Sequence, residues 1–184
     1  MKSKYPELWT TEAAKACQEL TSLGLDILGG TGHRPPKLGL DYSPKSNERL
    51  TRFLYGHLLK LKPEMTISGL ALGFDQCWAH ASVLAGIRFV AAVPFPSQTK
   101  LWPAESRRRY DALLAKAYRV VEVCRDPFSS AKMMARNDWI VAVSTRLLSL
   151  LDENGQKSGT ADCVGKAVAQ AKPVINLWSD WVGV

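Results

Sequence analysis

The chain has 184 residues, 46% hydrophobic and 22% charged, and a formal net charge of +7 from 24 basic and 17 acidic side chains. That length suits one domain with its own core, residues 1–184, and the balance excludes a disordered polyelectrolyte. The basic excess suits an anionic partner, a nucleotide or a nucleic acid, without requiring one.

No run reaches the roughly 18 apolar residues of a membrane helix. Met1 to Pro6 lacks the apolar stretch of a secretory leader. A cytoplasmic location with no membrane partner is therefore expected. Cys17, Cys77, Cys124 and Cys163 form no CxxC pair, so buried, reduced thiols are expected and no metal site.

In chain order, residues 8 to 22 pattern as a helix capped by Thr10 or Thr11, and Gly24 ends it. Leu25 to Gly29 reads as a first strand. Thr31 to Pro44 is rich in Gly and Pro and reads as a loop. A second helix opens at Ser46 or Asn47 and runs to Leu61, before Pro63. Met65 to Gly69 is the second strand, Gly73 to Ala85 the third helix, and Ile87 to Val93 an apolar third strand buried on both faces. A fourth helix spans Pro103 to Ala117 and a fourth strand Arg119 to Val123. The fifth helix starts at Ser129 or Ser130 and runs to about Ser144, ahead of the strand Leu147 to Leu151. After a turn, Asp152 to Gly155, the sixth helix starts at Ser158-Gly159-Thr160 and runs to Ala171. Val174 to Leu177 is the sixth strand, and Trp178 to Val184 a short tail.

Helix and strand alternate without interruption. That pattern predicts a mostly parallel sheet of about six strands with helices on both faces, the carboxyl ends of all strands on one rim. Four segments fall on that rim. Gly29-Gly30-Thr31-Gly32-His33-Arg34 ends the first strand, where glycines let a ligand approach the backbone and His33 and Arg34 offer a ring and a guanidinium fork. Ser68-Gly69 to Gly73, followed by Asp75 and Gln76, opens a helix whose free N–H groups suit an anion and whose side chains suit a sugar or base. Pro94-Phe95-Pro96 and Trp102 form a third segment, with Trp102 a stacking platform for a base. Ser158-Gly159-Thr160 is another small-residue helix start able to cradle phosphate. Arg136-Asn137 reaches across from the fifth helix.

Each piece alone has a plainer reading: a tight turn, a helix-dipole carboxylate at Asp75, a core for most tryptophans, and a solvated face at Arg107-Arg108-Arg109. None matches the dinucleotide fingerprint or the P-loop. Their convergence on one rim favours a pocket.

In this order, Thr31-Gly32-His33-Arg34-Pro35, Ser68 to Gln76, Ala92-Val93-Pro94-Phe95, Arg136-Asn137 and Ser158 to Ala161 resemble the SLOG superfamily. That superfamily groups the Smf/DprA DNA-processing proteins with the LOG ("lonely guy") phosphoribohydrolases. The resemblance covers about residues 24 to 178 and is greatest to small stand-alone YspA/YpsA-like members. It implies a Rossmann-like three-layer α/β sandwich with a pocket for a nucleotide or nucleotide-derived ligand, a signalling nucleotide among them. Gly30, Thr31, Gly32, His33, Arg34, Ser68, Gly69, Gly73, Asp75, Arg136 and Asn137 would line it, and Ser158, Gly159 and Thr160 would hold phosphate.

LOG enzymes carry a Pro-Gly-Gly-x-Gly-Thr-x-x-Glu motif. With Gly159-Thr160 as its Gly-Thr, the glutamate position falls on Cys163, while Gln156-Lys157-Ser158 stands near the place of Pro-Gly-Gly. A thiol does not replace a carboxylate that stabilises a cationic sugar, so binding is expected before hydrolysis, with no cofactor. Two alternatives remain. In one, a LOG-like nucleoside-monophosphate hydrolase uses Asp75 and Arg136 as catalytic groups. In the other, a DprA-like protein binds single-stranded DNA, with Arg107 to Arg109 on phosphates. Trp178 and Trp181, clustered near the C-terminus, suggest a homo-oligomer interface.

Overall fold

The computed structural model describes residues 5–155 and 157–183. Met1 to Lys4 of the expected leader-free start, Gln156 and the last tail residue Val184 lie outside the described residues. The helices are α1 (Thr11–Ser22), α2 (Pro44–Leu61), α3 (Phe74–Leu84), α4 (Ala104–Leu114), α5 (Ser130–Val143), α6 (Gly159–Ala169) and α7 (Trp178–Val182). The strands are β1 (Ile27–Gly32), β2 (Met65–Ser68), β3 (Arg88–Val93), β4 (Arg119–Glu122), β5 (Arg146–Leu150) and β6 (Val174–Asn176).

The six strands form one sheet in the order β4-β3-β2-β1-β5-β6, and every adjacent pair is parallel. Helices cover both faces, so the fold is a three-layer, Rossmann-like α/β sandwich. α1, α5 and α6 pack on one face, around Ile27, Ile67, Val90 and Trp139. α2, α3 and α7 pack on the other, around Leu28, Leu54, Trp78 and Leu148, with α4 beside α3 over β3. The chain reverses its direction of winding between β1 and β5. In open α/β sheets such a switch point leaves a crevice at the carboxyl ends of the strands.

Local chemistry explains the helix starts. The side chains of Thr10, Ser43, Ser129 and Ser158 each accept an N–H from the first turn of α1, α2, α5 and α6, satisfying a donor that has no intrahelical partner. α2 thus begins at Pro44, earlier than Ser46 or Asn47, because Ser43 caps it and proline suits the first helical turn.

β1 departs most from expectation. It begins at Ile27 and continues through the Gly-Gly-Thr-Gly run, which is strand and not loop. The reason is packing from both faces. A Cβ on Gly29 would lie 2.3 Å from Ser144 Oγ, on Gly30 2.5 Å from the Trp78 indole, and on Gly32 2.3 Å from the Phe74 ring. These glycines let α3 and α5 sit close against the central strand.

The C-terminal residues also differ from the expected tail. Trp178 to Val182 form α7. Trp181 is buried, donates its indole N–H to Leu38 O at 3.0 Å and meets the Phe53 ring edge-on. This tryptophan belongs to the chain's own core, which removes it from the surface an interface would use. Among the described residues, no helix is long and apolar enough to cross a membrane.

Candidate functional site

The carboxyl end of β1, the start of α3, the first turns of α5 and the start of α6 enclose a pocket of about 430 Å³. Its walls include Gly30 to Arg34, Asp75, Arg136, Asn137 and Ser158 to Thr160. Segments separated by more than a hundred residues meet there because β1 and β5 are neighbours and α5 and α6 lie on the same face.

The floor is an ion pair. Arg136 Nη1 stands 3.5 Å from Asp75 Oδ2, and both residues are buried. Arg136 Nε donates to Asn137 Oδ1 at 3.2 Å, and Asn137 Nδ2 in turn donates to Gly159 O and Asp162 Oδ2. Arg136 Nη1 has no hydrogen-bond acceptor among the described residues. Burial pushes the Asp75 carboxyl up from its ordinary value; Arg136, the Ala71 N–H and Arg34 oppose that rise. That nitrogen is enclosed, packed over Gly69 and facing the Asp75 carboxylate, so the charge of the buried guanidinium is held by its acidic partner.

At the opposite wall, Ser158 Oγ takes the Ala161 N–H at 3.1 Å. The earliest N–H groups of an α-helix have no intrahelical acceptor, so Gly159 and Thr160 present theirs at the positive end of α6. Asp162 would repel an anion there, but Lys166 Nζ pairs with it at 2.8 Å and with Asp138 at 2.7 Å. Exposed Arg34 and Lys37 add cationic charge at the mouth.

His33 occupies the wall in a different capacity. It is buried, its Nε2 accepts the Asp152 N–H at 3.2 Å, and its ring meets Trp178 edge-on. Burial, then the nearby Lys37, lower its pKa from 6.5, with Asp152 opposing. A neutral ring that ties β1 to the loop after β5 follows from this geometry.

Other expected residues are supports. Ser68 is buried beneath the pocket, donating to Asp75 O at 2.7 Å and accepting the Leu70 N–H. Gly69 makes room for Arg136, since a Cβ there would lie 1.5 Å from Nη1. Gly73 has a positive φ of 90° at the turn into α3 and lines a neighbouring groove. Gln76 faces that groove as well, one residue round the helix from Asp75.

Cys163, the position of the LOG glutamate, is wholly buried near Thr31 and Arg136, and burial pushes its thiol up to about 12. Trp102 packs edge-on against Tyr110 in a side cleft with Phe95, Phe128 and Lys100. Of the basic run, Arg107 and Arg108 are exposed, while Arg109 reaches Cys77 Sγ at 3.4 Å. Tyr42, Lys37, Met133 and Met134 line the pocket without having been expected there. They sit in a loop and a helix turn with no motif, and only tertiary packing brings them in. Among the described residues, no group of three or more His, Cys, Asp and Glu side chains is placed to hold a metal ion.

Comparisons with known proteins agree with this architecture. The model of the family described as DNA recombination-mediator protein A matches residues 42–181, leaving the glycine-rich β1 outside the match. The SPbeta prophage-derived protein YoqJ of Bacillus subtilis (strain 168) is 32% identical over 117 residues, 55% of this chain and 67% of that one. DNA processing protein A from Streptococcus pneumoniae superposes with a TM-score of 0.58 at 18% identity, over 83% of this chain and 50% of that one. The protein of that name from Helicobacter pylori, described for its single-stranded DNA binding mode, gives 0.59 at 19% identity, over 85% and 66% respectively. The chain thus spans half to two thirds of those two proteins. TM1055 shares the fold with a TM-score of 0.54 at 16% identity. With three quarters of its length matched by the family model and its fold shared with these structures, the chain belongs to the DNA recombination-mediator protein A family, within the SLOG superfamily.

Proposed function

We propose that this chain, folded as one domain, binds a nucleotide or nucleotide-derived ligand in the pocket at the end of β1, and holds it without cleaving it. The observation that carries this reading is the convergence on one pocket of the Arg136 guanidinium, the start of α6 and the cationic side chains of Arg34 and Lys37. Arg136 and the α6 N–H groups take phosphate; Arg34 and Lys37 steer it in. Tyr42 and the two methionines supply apolar contact for a ring. Cys163 supports binding over LOG-type hydrolysis, because a buried protonated thiol cannot stabilise positive charge on a ribose.

Calorimetric titration with mononucleotides, ADP-ribose derivatives and cyclic nucleotides tests this. At least one is expected to bind, and Arg136→Met is expected to weaken it by about tenfold or more, as loss of a charged hydrogen bond does. Failure of the folded protein to bind any of them overturns the reading. Release of free base on long incubation, lost in Asp75→Ala, would replace it with the hydrolase.

A second reading, single-stranded DNA binding, draws on the side cleft that shares Arg34, Ala71 and Met133 with the pocket and carries Trp102, Phe128 and Lys100. Oligonucleotide affinity would then fall steeply with salt. A flat salt response excludes it.

A further inference from the structure

Beside the pocket runs a larger groove of about 790 Å³ between α2, α3 and α4. It lies off the β1 rim, and Gly73 and Gln76 at the start of α3 line it. Tyr42 and Leu72 line both spaces, so the two adjoin.

Two buried polar groups in the walls of this groove are without partners among the described residues. The Gln76 side-chain amide nitrogen, on α3, and the Thr51 hydroxyl, on α2, have no hydrogen-bond partner among the described residues. Both side chains belong to residues at most 3% exposed, and both line the groove. Thr51 lies beside the Cys77 thiol, whose pKa its hydroxyl helps to hold down, but the contact falls short of a well-formed hydrogen bond. Leaving such groups unpaired is costly. Two of them on facing helices in one cleft mark a place built to hydrogen-bond something. An amide and a hydroxyl together match a ring edge that carries a carbonyl or ring nitrogen beside an N–H. The surrounding walls suit a flat ring: Tyr55 and Leu84 on one side, Leu113 on the other, and Arg109 on α4.

We infer that the groove is a second subsite that takes a heteroaromatic base, and that the ligand class is a dinucleotide whose phosphate lies at Arg136 and whose second base lies against Gln76 and Thr51. This rests on the reading that the β1 pocket holds phosphate. Volume agrees with it. One drug-sized ligand fills about 300–1,000 Å³, and pocket and groove together exceed that. Tyr42, half exposed where the two spaces join, stands where the bridge between the two nucleosides would pass.

The test compares adenosine monophosphate with two dinucleotides by calorimetry: two adenosines joined 5′ to 5′ by pyrophosphate, and two joined 3′ to 5′ by one phosphate. Wild-type protein is expected to bind at least one dinucleotide about tenfold or more tighter than the mononucleotide, the gain of one buried hydrogen-bonded ring. The arm that gains tells a free pyrophosphate dinucleotide from a nucleic-acid strand. Gln76→Leu and Thr51→Val are each expected to remove most of that gain and leave mononucleotide binding unchanged. Ala112→Trp serves as the second variant, since Ala112 is exposed and lines the groove; its indole fills the groove from the surface, sparing the core, and is also expected to erase the gain. Equal affinity of wild type for mono- and dinucleotides overturns the inference while leaving the pocket reading intact. A gain that survives both Gln76→Leu and Ala112→Trp also overturns it. No binding of any of the three ligands overturns the inference together with the reading beneath it.

Discussion

Arg136 stands directly over the α-carbon of Gly69, so closely that a Cβ on Gly69 would fall 1.5 Å from Nη1. The guanidinium can pair with Asp75 only because position 69 has no side chain. Gly69→Ala is therefore expected to push Arg136 off the pocket floor. On the proposed reading it lowers ligand affinity by about tenfold or more, comparable to Arg136→Met, and it costs about 1–3 kcal/mol of stability through overpacking. Titration alongside urea unfolding checks both. Unchanged affinity would show that Arg136 does not hold the ligand.

Gly32 and Phe74 are coupled in the same way at the end of β1, where an added Cβ would lie 2.3 Å from the ring. Gly32→Ala alone is expected to destabilise by about 1–3 kcal/mol. Phe74→Ala alone opens a cavity and destabilises too. Together they should cost less than the sum of the single changes, by about 1 kcal/mol, as contacting residues do. A double-mutant cycle by urea denaturation measures the difference, and strict additivity would contradict the packing role assigned to the glycine.

His33 sets a pH dependence. Burial, ahead of Lys37, lowers its pKa from 6.5, so the unfolded chain takes up the proton at a higher pH than the folded one. Stability is then complete above 6.5 and declines as pH falls through 6.5 toward the folded value. His57 and His80 are lowered as well, burial being the largest cause in each, and they add to the same slope. His33→Gln keeps an acceptor for the Asp152 N–H but does not titrate. Its loss of urea midpoint between about pH 8 and about pH 5 should be smaller than that of wild type. An equal loss would assign the slope to the other two histidines.

Lys172 closes the far end of α5. Its ammonium donates to the carbonyls of Val141, Ala142 and Ser144, groups at the helix C-terminus without intrahelical donors. Lys172→Met retains the length of the stem but strands those carbonyls. A cost of about 1–3 kcal/mol is expected, read as a lower thermal midpoint. A neutral result would mean that water satisfies the carbonyls equally well.

From sequence alone the alternation of helix and strand was legible, and with it a parallel sheet covered on both faces. Hydrophobic period and helix caps are local properties, and Thr10, Ser129 and Ser158 cap where their chemistry places them. The convergence of Gly30 to Arg34, Asp75, Arg136-Asn137 and Ser158 to Thr160 on one rim was legible for a related reason: in a parallel sheet every strand ends on the same side. What each residue does there depended on the tertiary structure. Gly29, Gly30 and Gly32 read as a turn open to a ligand, yet Ser144, Trp78 and Phe74 fill the space beside them. Those three partners lie 42 to 115 positions along the chain, beyond the reach of any local pattern. The same holds for His33, whose acceptor nitrogen is occupied by Asp152, and for Gln76, which turns away from Asp75 into a separate groove. Local chemistry is written in neighbouring residues. Steric fit between distant elements is a property of the folded chain, and it decided which polar groups were spent on the scaffold and which were left without a partner among the described residues.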